Sequence, residues 1–435
     1  MAEPRSGCVR WLLVFWLFVL SAVSFLDRVN ISVAGIAIAS EYRLTQIQLG
    51  WIFSAFLWGY ASFQTLGGRL ADRLGSRGVL TAGVVWWGIF TALTAAVSPR
   101  ISTALLIFIL VRFLLGAGEA VIFPASNQFV SRWIPTQERG TANGLIFAGV
   151  GAGAGSAPAL VTYVMAHYGW RWSFWLSALV GLAAGLVWVL AARNTPEEHP
   201  VVSAFELTHI QSGRTLGTES PAPPQSKREQ LPWSVILQSK DVWAITVSYF
   251  CFGYVAWIFF SWFYIYLAKV RGLDLKSTAF YSMFPPLAMV ACSLLGGVVN
   301  DHLTKTRSKR AGRCGIAVFA LLLAAFLLVV GSHGASARLA SLVLAGGAGA
   351  LYLAQSSYWS VTADIAGSDA GSASGFMNMG AQLGGAVTAI LTPVIAAHLG
   401  WTYSFWVAAT LSALGALAWL AVDPTRTLVD TKQTS

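Results

Sequence analysis

The chain has 435 residues, of which 56% are hydrophobic and only 11% charged, with a formal net charge of +10. A soluble domain carries roughly a quarter of its residues as charges, so this balance excludes a water-soluble globule and makes lipid the main solvent. The excess of base does not mark a nucleic-acid binder: the Lys and Arg residues sit in short loops between apolar runs, with no basic-aromatic surface around them.

A helix needs about 20 apolar residues to cross a ~30 Å hydrocarbon core. Twelve stretches meet that need: 11–38, 46–68, 79–97, 102–126, 141–165, 172–192, 241–267, 279–299, 314–332, 339–363, 374–397 and 402–422. The expected fold is an all-α membrane protein of twelve transmembrane helices in two pseudo-symmetric six-helix bundles. The first stretch follows Arg5 and Arg10 like a signal peptide. No small-residue cleavage site follows it, and the apolar pattern runs on from Ile31 to Ala39, so it reads as the first span. Many of the 19 Trp fall near span ends, where aromatic rings lie at headgroup level.

Placing both termini in the cytoplasm puts 19 Lys/Arg on that side. The other side receives seven: Arg43, Arg100, Arg171, Lys269, Arg271, Lys276 and Arg338. This bias orients a multi-pass protein of the cell inner membrane with both ends inside. The Pro-, Ser- and Gln-rich stretch 193–240 separates spans one to six (1–192) from spans seven to twelve (241–423), leaving a tail at 424–435. It reads as a cytoplasmic linker, largely disordered or with one short surface helix near Ala204–Ile210.

Charges inside spans are costly and usually face the bundle interior, which makes each a functional candidate. Span one carries Asp27 and Arg28. Span four carries Arg112 and Glu119, two turns apart on nearly one face. These four groups could simply neutralise one another across helices one and four. Alternatively, a guanidinium fork meets an anionic substrate, and a carboxylate in a dry cavity loads and releases a proton as access alternates. The second half has few charges in its spans. Its polar candidates are Gln355, Ser356, Ser357, Tyr358, Trp359 and Ser360, with Asn378 and Gln382 four residues apart on one face.

The two halves align at a fixed offset of 231 residues. His167, Gly169, Trp170, Ser173, Phe174 and Trp175 fall on His398, Gly400, Trp401, Ser404, Phe405 and Trp406, and Gly140, Gly144, Gly149 and Gly153 fall on Gly371, Gly375, Gly380 and Gly384. Parallel repeats of this kind point to a rocking carrier with substrate bound between the halves. The loop between spans two and three holds Gly68, Asp72, Arg73, Gly75 and Arg77, and Gly297 and Asp301 begin the corresponding loop of the second half. Gly permits close helix approach, and Asp can meet a helix N-terminus as a state-dependent latch.

That loop pattern resembles the major facilitator superfamily. The stretches Phe25–Ala34, Arg112–Pro124, Arg132–Gly140 and Gly169–Arg171 resemble its anion:cation symporter family, which carries sugar acids, dicarboxylates, phthalates and other organic anions. The resemblance covers the whole chain and is densest in the first half. It implies proton-coupled uptake of a small organic anion, with an efflux carrier or drug/proton antiporter as the alternative. It also implies Asp27 and Glu119 as proton-coupling carboxylates, with Arg28 and Arg112 contacting or organising the anion and Tyr60 lining the site. Sugar-acid carriers of the family often have Tyr where this chain has Phe25, and a Gln in span five where this chain runs Phe147–Gly153. Both departures withdraw hydroxyl-binding capacity and favour a short dicarboxylate, an aromatic carboxylate or a sulfonated acid such as sulfoacetate.

No cofactor beyond the coupling proton, no metal, no nucleic acid and no obligate partner chain is expected. Cys8, Cys251, Cys292 and Cys314 have no ligand or disulfide spacing. A membrane enzyme would need clustered His or a nucleophile-base pair, and the six His lie mainly in loops and the linker.

Overall fold

The computed structural model describes residues 9–215, 231–263, 266–334 and 336–428, and among them there are helices and connections but no strand. The first half contains α1 (Val9–Tyr42), α2 (Gln46–Leu74), α3 (Ser76–Ala96), α4 (Ala104–Glu119), α5 (Ile122–Trp133), α6 (Arg139–Tyr168) and α7 (Trp170–Ala191). Two short helices follow, α8 (Ala204–Thr215) and α9 (Trp233–Gln238). The second half contains α10 (Lys240–Ser261), α11 (Leu275–Ser282), α12 (Phe284–Thr306), α13 (Ile316–Ser332), α14 (Ala337–Leu353), α15 (Gln355–Ala366), α16 (Ala370–His398) and α17 (Trp401–Ala418).

Ten stretches are long and apolar enough to cross a membrane. One of them, Ala337–Thr388, runs through two predicted spans, and α2 is 29 residues long though outside the ten. Each of the twelve predicted spans falls on a helix or on a helix broken in two. The breaks at α4/α5 and α11/α12 have a covalent cause. Pro124 has no N–H for the carbonyl of Ala120, and Pro285 and Pro286 cannot extend α11.

The repeat seen in sequence is a repeat of packing. In the first half α1 packs on α6, α2 on α4 and α3 on α7; in the second, α10 packs on α16, α12 on α14 and α13 on α17. Across the halves, α2 lies on α16 and α6 on α12. Gly169 (φ 85°) and Gly400 (φ 97°), one repeat apart, both turn the chain in the left-handed region that a Cβ disfavours. The recurrence of His-x-Gly-Trp therefore follows from backbone geometry. Five tryptophans, Trp87, Trp133, Trp188, Trp359 and Trp419, are fully buried, which corrects the headgroup-level reading for that share of the 19.

The helix expected near Ala204–Ile210 extends to Thr215 and is docked rather than free, with Glu206 and Ile210 buried. The backbone N–H of Arg10 and its Nη1 both donate to Glu206 Oε1 (3.1 and 3.2 Å), and its Nε donates to Glu138 (3.1 Å). His209 Nε2 lies 2.8 Å from Glu138. Residues 216–230 of the predicted linker and 429–435 of the tail lie outside the described residues.

Beyond the predicted end of the first span, Glu41 receives both Nη atoms of Arg171 at 2.8 and 2.9 Å, and this pair holds its carboxyl below the ordinary range. Both side chains are about one-third exposed, so the pair is screened. Arg171→Ala is expected to cost at most about 1 kcal/mol near neutral pH, read as a small fall in melting midpoint. A depressed carboxyl contributes above its unfolded pKa and loses the contribution as pH falls through its folded value. The gap between variant and parent should therefore close in acid.

Candidate functional site

Where α4 stops, Glu119 is its last residue and is fully buried. Arg28, just past the middle of α1, meets it with Nε 2.7 Å from Glu119 Oε1. The guanidinium also lies over the rings of Tyr60 (4.3 Å), Phe25 (4.4 Å) and Phe56 (5.3 Å), which stabilise a desolvated cation. Two polar atoms of the pair remain unsatisfied: Arg28 Nη2 and Glu119 Oε2 are buried without a hydrogen-bond partner. The pair is thus made at one contact and open at the next.

Asp27 points elsewhere. Its Oδ2 accepts from Trp87 Nε1 (2.7 Å) and Thr91 Oγ1 (3.4 Å), and its Oδ1 has no partner. Arg112 is buried beside both acids, with its guanidinium 5.0 Å from the Phe56 ring, and closes to ion-pair distance with neither. The expectation that all four charges neutralise one another holds for one pair, Arg28 and Glu119.

Between Arg28 and the second half lies a partly open cavity whose space unfilled by atoms, adjoining solvent included, is about 500 Å³. Of the expected contacts, Arg28, Tyr60, Asn378 and Gln382 line it, and Arg112, Ser356 and Trp359 do not. Ser356 is fully buried with its hydroxyl unpaired. Trp359 packs behind the wall against Phe147 (4.9 Å) and Phe123 (6.0 Å). The break at Ala354 turns Gln355 rather than Ser356 to the cavity.

Reasoning from sequence did not single out the aromatic wall or what holds it. Tyr249 of α10 lines the cavity, and its hydroxyl receives Gln355 Nε2 (2.8 Å) and Trp359 Nε1 (3.1 Å). Tyr352, Trp257 and Phe260 complete that side. Trp87, the donor to Asp27, carried no signal beyond its place in a Trp-Trp pair. Gln355, Asn378 and Gln382 bring amides from the second half, which restores the hydrogen-bonding capacity that Phe25 and the missing span-five Gln withdraw.

The expected latch residues separate into three groups. Asp72 reaches across to the start of α16, where its carboxylate accepts from Gly371 N–H (2.9 Å), Ser372 N–H (2.6 Å) and Ser372 Oγ (2.5 Å). Asp301 does the same at the start of α6, accepting from Gly140 N–H (2.8 Å) and Thr141 N–H (2.5 Å). Gly68 abuts the Gly371 backbone, and a Cβ there would collide with it. Gly75 and Arg77 stay within the first half: Gly75 packs on Asn194 at φ 87°, and Arg77 donates to Val189 O (2.7 Å). Arg73 is exposed. A buried network unforeseen from sequence joins the second latch. Arg313 pairs with Asp301 and Asp364 (both 3.1 Å) and also binds Asn300, and Arg139 reaches Asp364 across the halves at 2.6 Å.

Comparison with known proteins accords with this architecture. The sequence model described as Major Facilitator Superfamily matches residues 17–389 and 360–435. A protein of Cupriavidus necator named as a probable sulfoacetate transporter is 33% identical over 93% of this chain and 92% of its own length. The chloroplastic ascorbate transporter of Arabidopsis thaliana is 31% identical, covering 94% of this chain and 74% of its own length. A probable galactarate/D-glucarate transporter of Bacillus subtilis is 28% identical, covering 96% and 90%. Among solved structures, a proton:xylose symporter superposes with a TM-score of 0.76 over 99% of both chains at 14% identity, a likeness of fold.

Proposed function

The chain belongs to the Major Facilitator Superfamily, and from that premise we propose that it carries a small organic anion together with protons, by alternating access, with both termini on the cytoplasmic side of the cell inner membrane. The observation that carries this reading is the position of Arg28. It lies between Glu119 and the cavity, bound to the acid through Nε while Nη2 has no partner. With Glu119 ionised the guanidinium is shared with the acid. With Glu119 protonated its charge is free for a substrate anion, which a guanidinium binds in a directional, charge-assisted contact. Proton and anion then favour each other's binding, which is what symport requires. Relatives named for sulfoacetate, ascorbate and galactarate/D-glucarate transport support an organic anion as cargo.

The test uses purified protein in liposomes with a trapped pH dye and no imposed gradient. Addition of a transported anion outside should acidify the lumen at a rate that saturates with anion concentration. Alkalinisation would mean exchange in the sense of an antiporter, and anion entry without any pH change would remove the proton from the mechanism.

A further inference from the structure

We propose that segment 231–233, at the end of the linker, is a strap that joins the two halves on the linker face and releases α2 each time they part there. The linker is thereby part of the gate as well as a connection between bundles. Its action is independent of which anion is carried.

One residue, Leu231, bonds to both halves through its backbone. Its C=O accepts from Arg69 Nη1 of α2 at 2.6 Å. Its N–H donates at 3.3 Å to Oδ1 of Asp369, the residue before α16. The Leu231 side chain is buried in the apolar core, and Trp233 packs against the same cluster. The Arg69 guanidinium also lies over the Trp233 ring at 5.5 Å. Pro232, between them, has no N–H and holds Leu231 to an extended backbone, so the order of these contacts is set locally.

The two ends of the linker follow different halves. At its start, α8 is docked on the first half through Glu206 and Arg10. At its end, α9 is tied to α10: Leu237 O accepts from Trp243 Nε1 at 2.7 Å, and Ile236 is buried. Segment 231–238 therefore travels with the second half, and the bond from Arg69 is the one that must break. That bond lies over the seam that Asp72 holds. Along the seam Gly68 meets Gly371, the Gln64 backbone meets Gly375, and Thr65 Oγ1 lies 3.8 Å from Met379 Sδ. Tyr60, about one turn further along α2, lines the cavity. When α2 leaves, the Leu231 carbonyl loses a charged donor. Arg69 is only partly buried, which keeps that loss moderate and suits a contact remade in every cycle.

Thiol reporters test the strap without any substrate. The background is a chain with Cys8, Cys251, Cys292 and Cys314 changed to Ala. It carries either Gln64→Cys, in the α2/α16 seam, or Asn127→Cys, at the position whose amide reaches Thr362 across the halves at 3.0 Å. Both positions are buried. Arg69→Met removes the donor, and Leu231→Pro removes the N–H while keeping an extended backbone. Each should raise the rate of reaction with a water-soluble maleimide about fivefold at both reporters. Arg69→Lys should stay near the parent rate, because an ammonium still donates to the carbonyl. Ser234→Ala, exposed on α9, should change neither rate. Faster labelling of Gln64→Cys alone would mean local fraying and overturns the strap, as do unchanged rates at both reporters. If the strap variants do not fold, the reciprocal measurement decides, since coupling between two contacts is mutual. Asp72→Asn should then speed labelling of a Leu231→Cys thiol, and a rate indifferent to Asp72 overturns the proposal.

Discussion

Glu119→Gln is expected to abolish proton-driven accumulation while leaving anion counterflow partly intact. Glutamine has nearly the shape of a protonated glutamate and never ionises, so it leaves Arg28 permanently available to substrate. The 2.7 Å contact between Arg28 Nε and Glu119 Oε1 survives as a hydrogen bond from the charged guanidinium to a neutral amide oxygen, without the ion pair. What disappears is the alternation between an acid-bound and an anion-bound guanidinium. In energetic terms, one pH unit across the membrane is worth about 1.4 kcal/mol per coupled proton, so one proton can sustain roughly tenfold accumulation. In the variant that ratio should fall to one, whereas exchange of labelled for unlabelled anion needs no net proton movement. Equal loss of accumulation and exchange would make Glu119 a structural partner of Arg28 and no more. Asp27 is a weaker choice for the same role, because its Oδ2 is committed to Trp87 and Thr91, whereas Glu119 is the acid that pairs with the cavity-lining Arg28.

Which parts of this arrangement the sequence displays follows from the solvent. In lipid a charge within an apolar run stands out because it is costly, so Asp27, Arg28, Arg112 and Glu119 were legible one by one. Their partners were not. Spacing puts Arg112 and Glu119 on one face, yet the end of α4 and the rotation of α1 decide that Arg28 takes Glu119 and Asp27 takes Trp87. The aromatic wall was hidden for the opposite reason. A cavity-facing Tyr249 or Tyr352 and a lipid-facing aromatic have much the same hydropathy. A helix apolar on both faces shows no period by which to orient it. Ser356 and Trp359 illustrate the same limit, since a register set by the break at Ala354 moved the cavity face by one residue to Gln355. The glycine repeats were legible because they record backbone constraints: positive φ at Gly169 and Gly400, and close approach at Gly68 against Gly371 and at Gly140 against Gly297.

Asp72→Asn is expected to shift the chain toward the conformer in which α2 and α16 have parted. Asp72 sits where four helical N–H groups have no partner within their own helix and where the helix dipole favours negative charge. It takes two of those N–H groups and the Ser372 hydroxyl at 2.5–2.9 Å. A hydrogen bond to a charged group contributes about 1.5–3 kcal/mol, so neutralising the acceptor should move the equilibrium between closed and parted halves by roughly ten- to a hundredfold. Asp301 holds the matching N–H groups of α6, but Arg313 and the Arg139–Asp364 pair brace that side as well. Asp301→Asn alone should therefore open the interface less than Asp72→Asn, and the double variant should exceed both. The fully buried Gln64 lies beside Gly375 in the α2/α16 interface and reports the opening. With Cys8, Cys251, Cys292 and Cys314 replaced by Ala, a Gln64→Cys thiol should react with a water-soluble maleimide faster in that order of variants. Exposed Arg73, changed to Gln, serves as the control and should leave the rate unaltered. Labelling of Gln64→Cys that is indifferent to Asp72 and Asp301 would reduce the paired loops to carriers of the topological charge bias, with no part in holding the halves together.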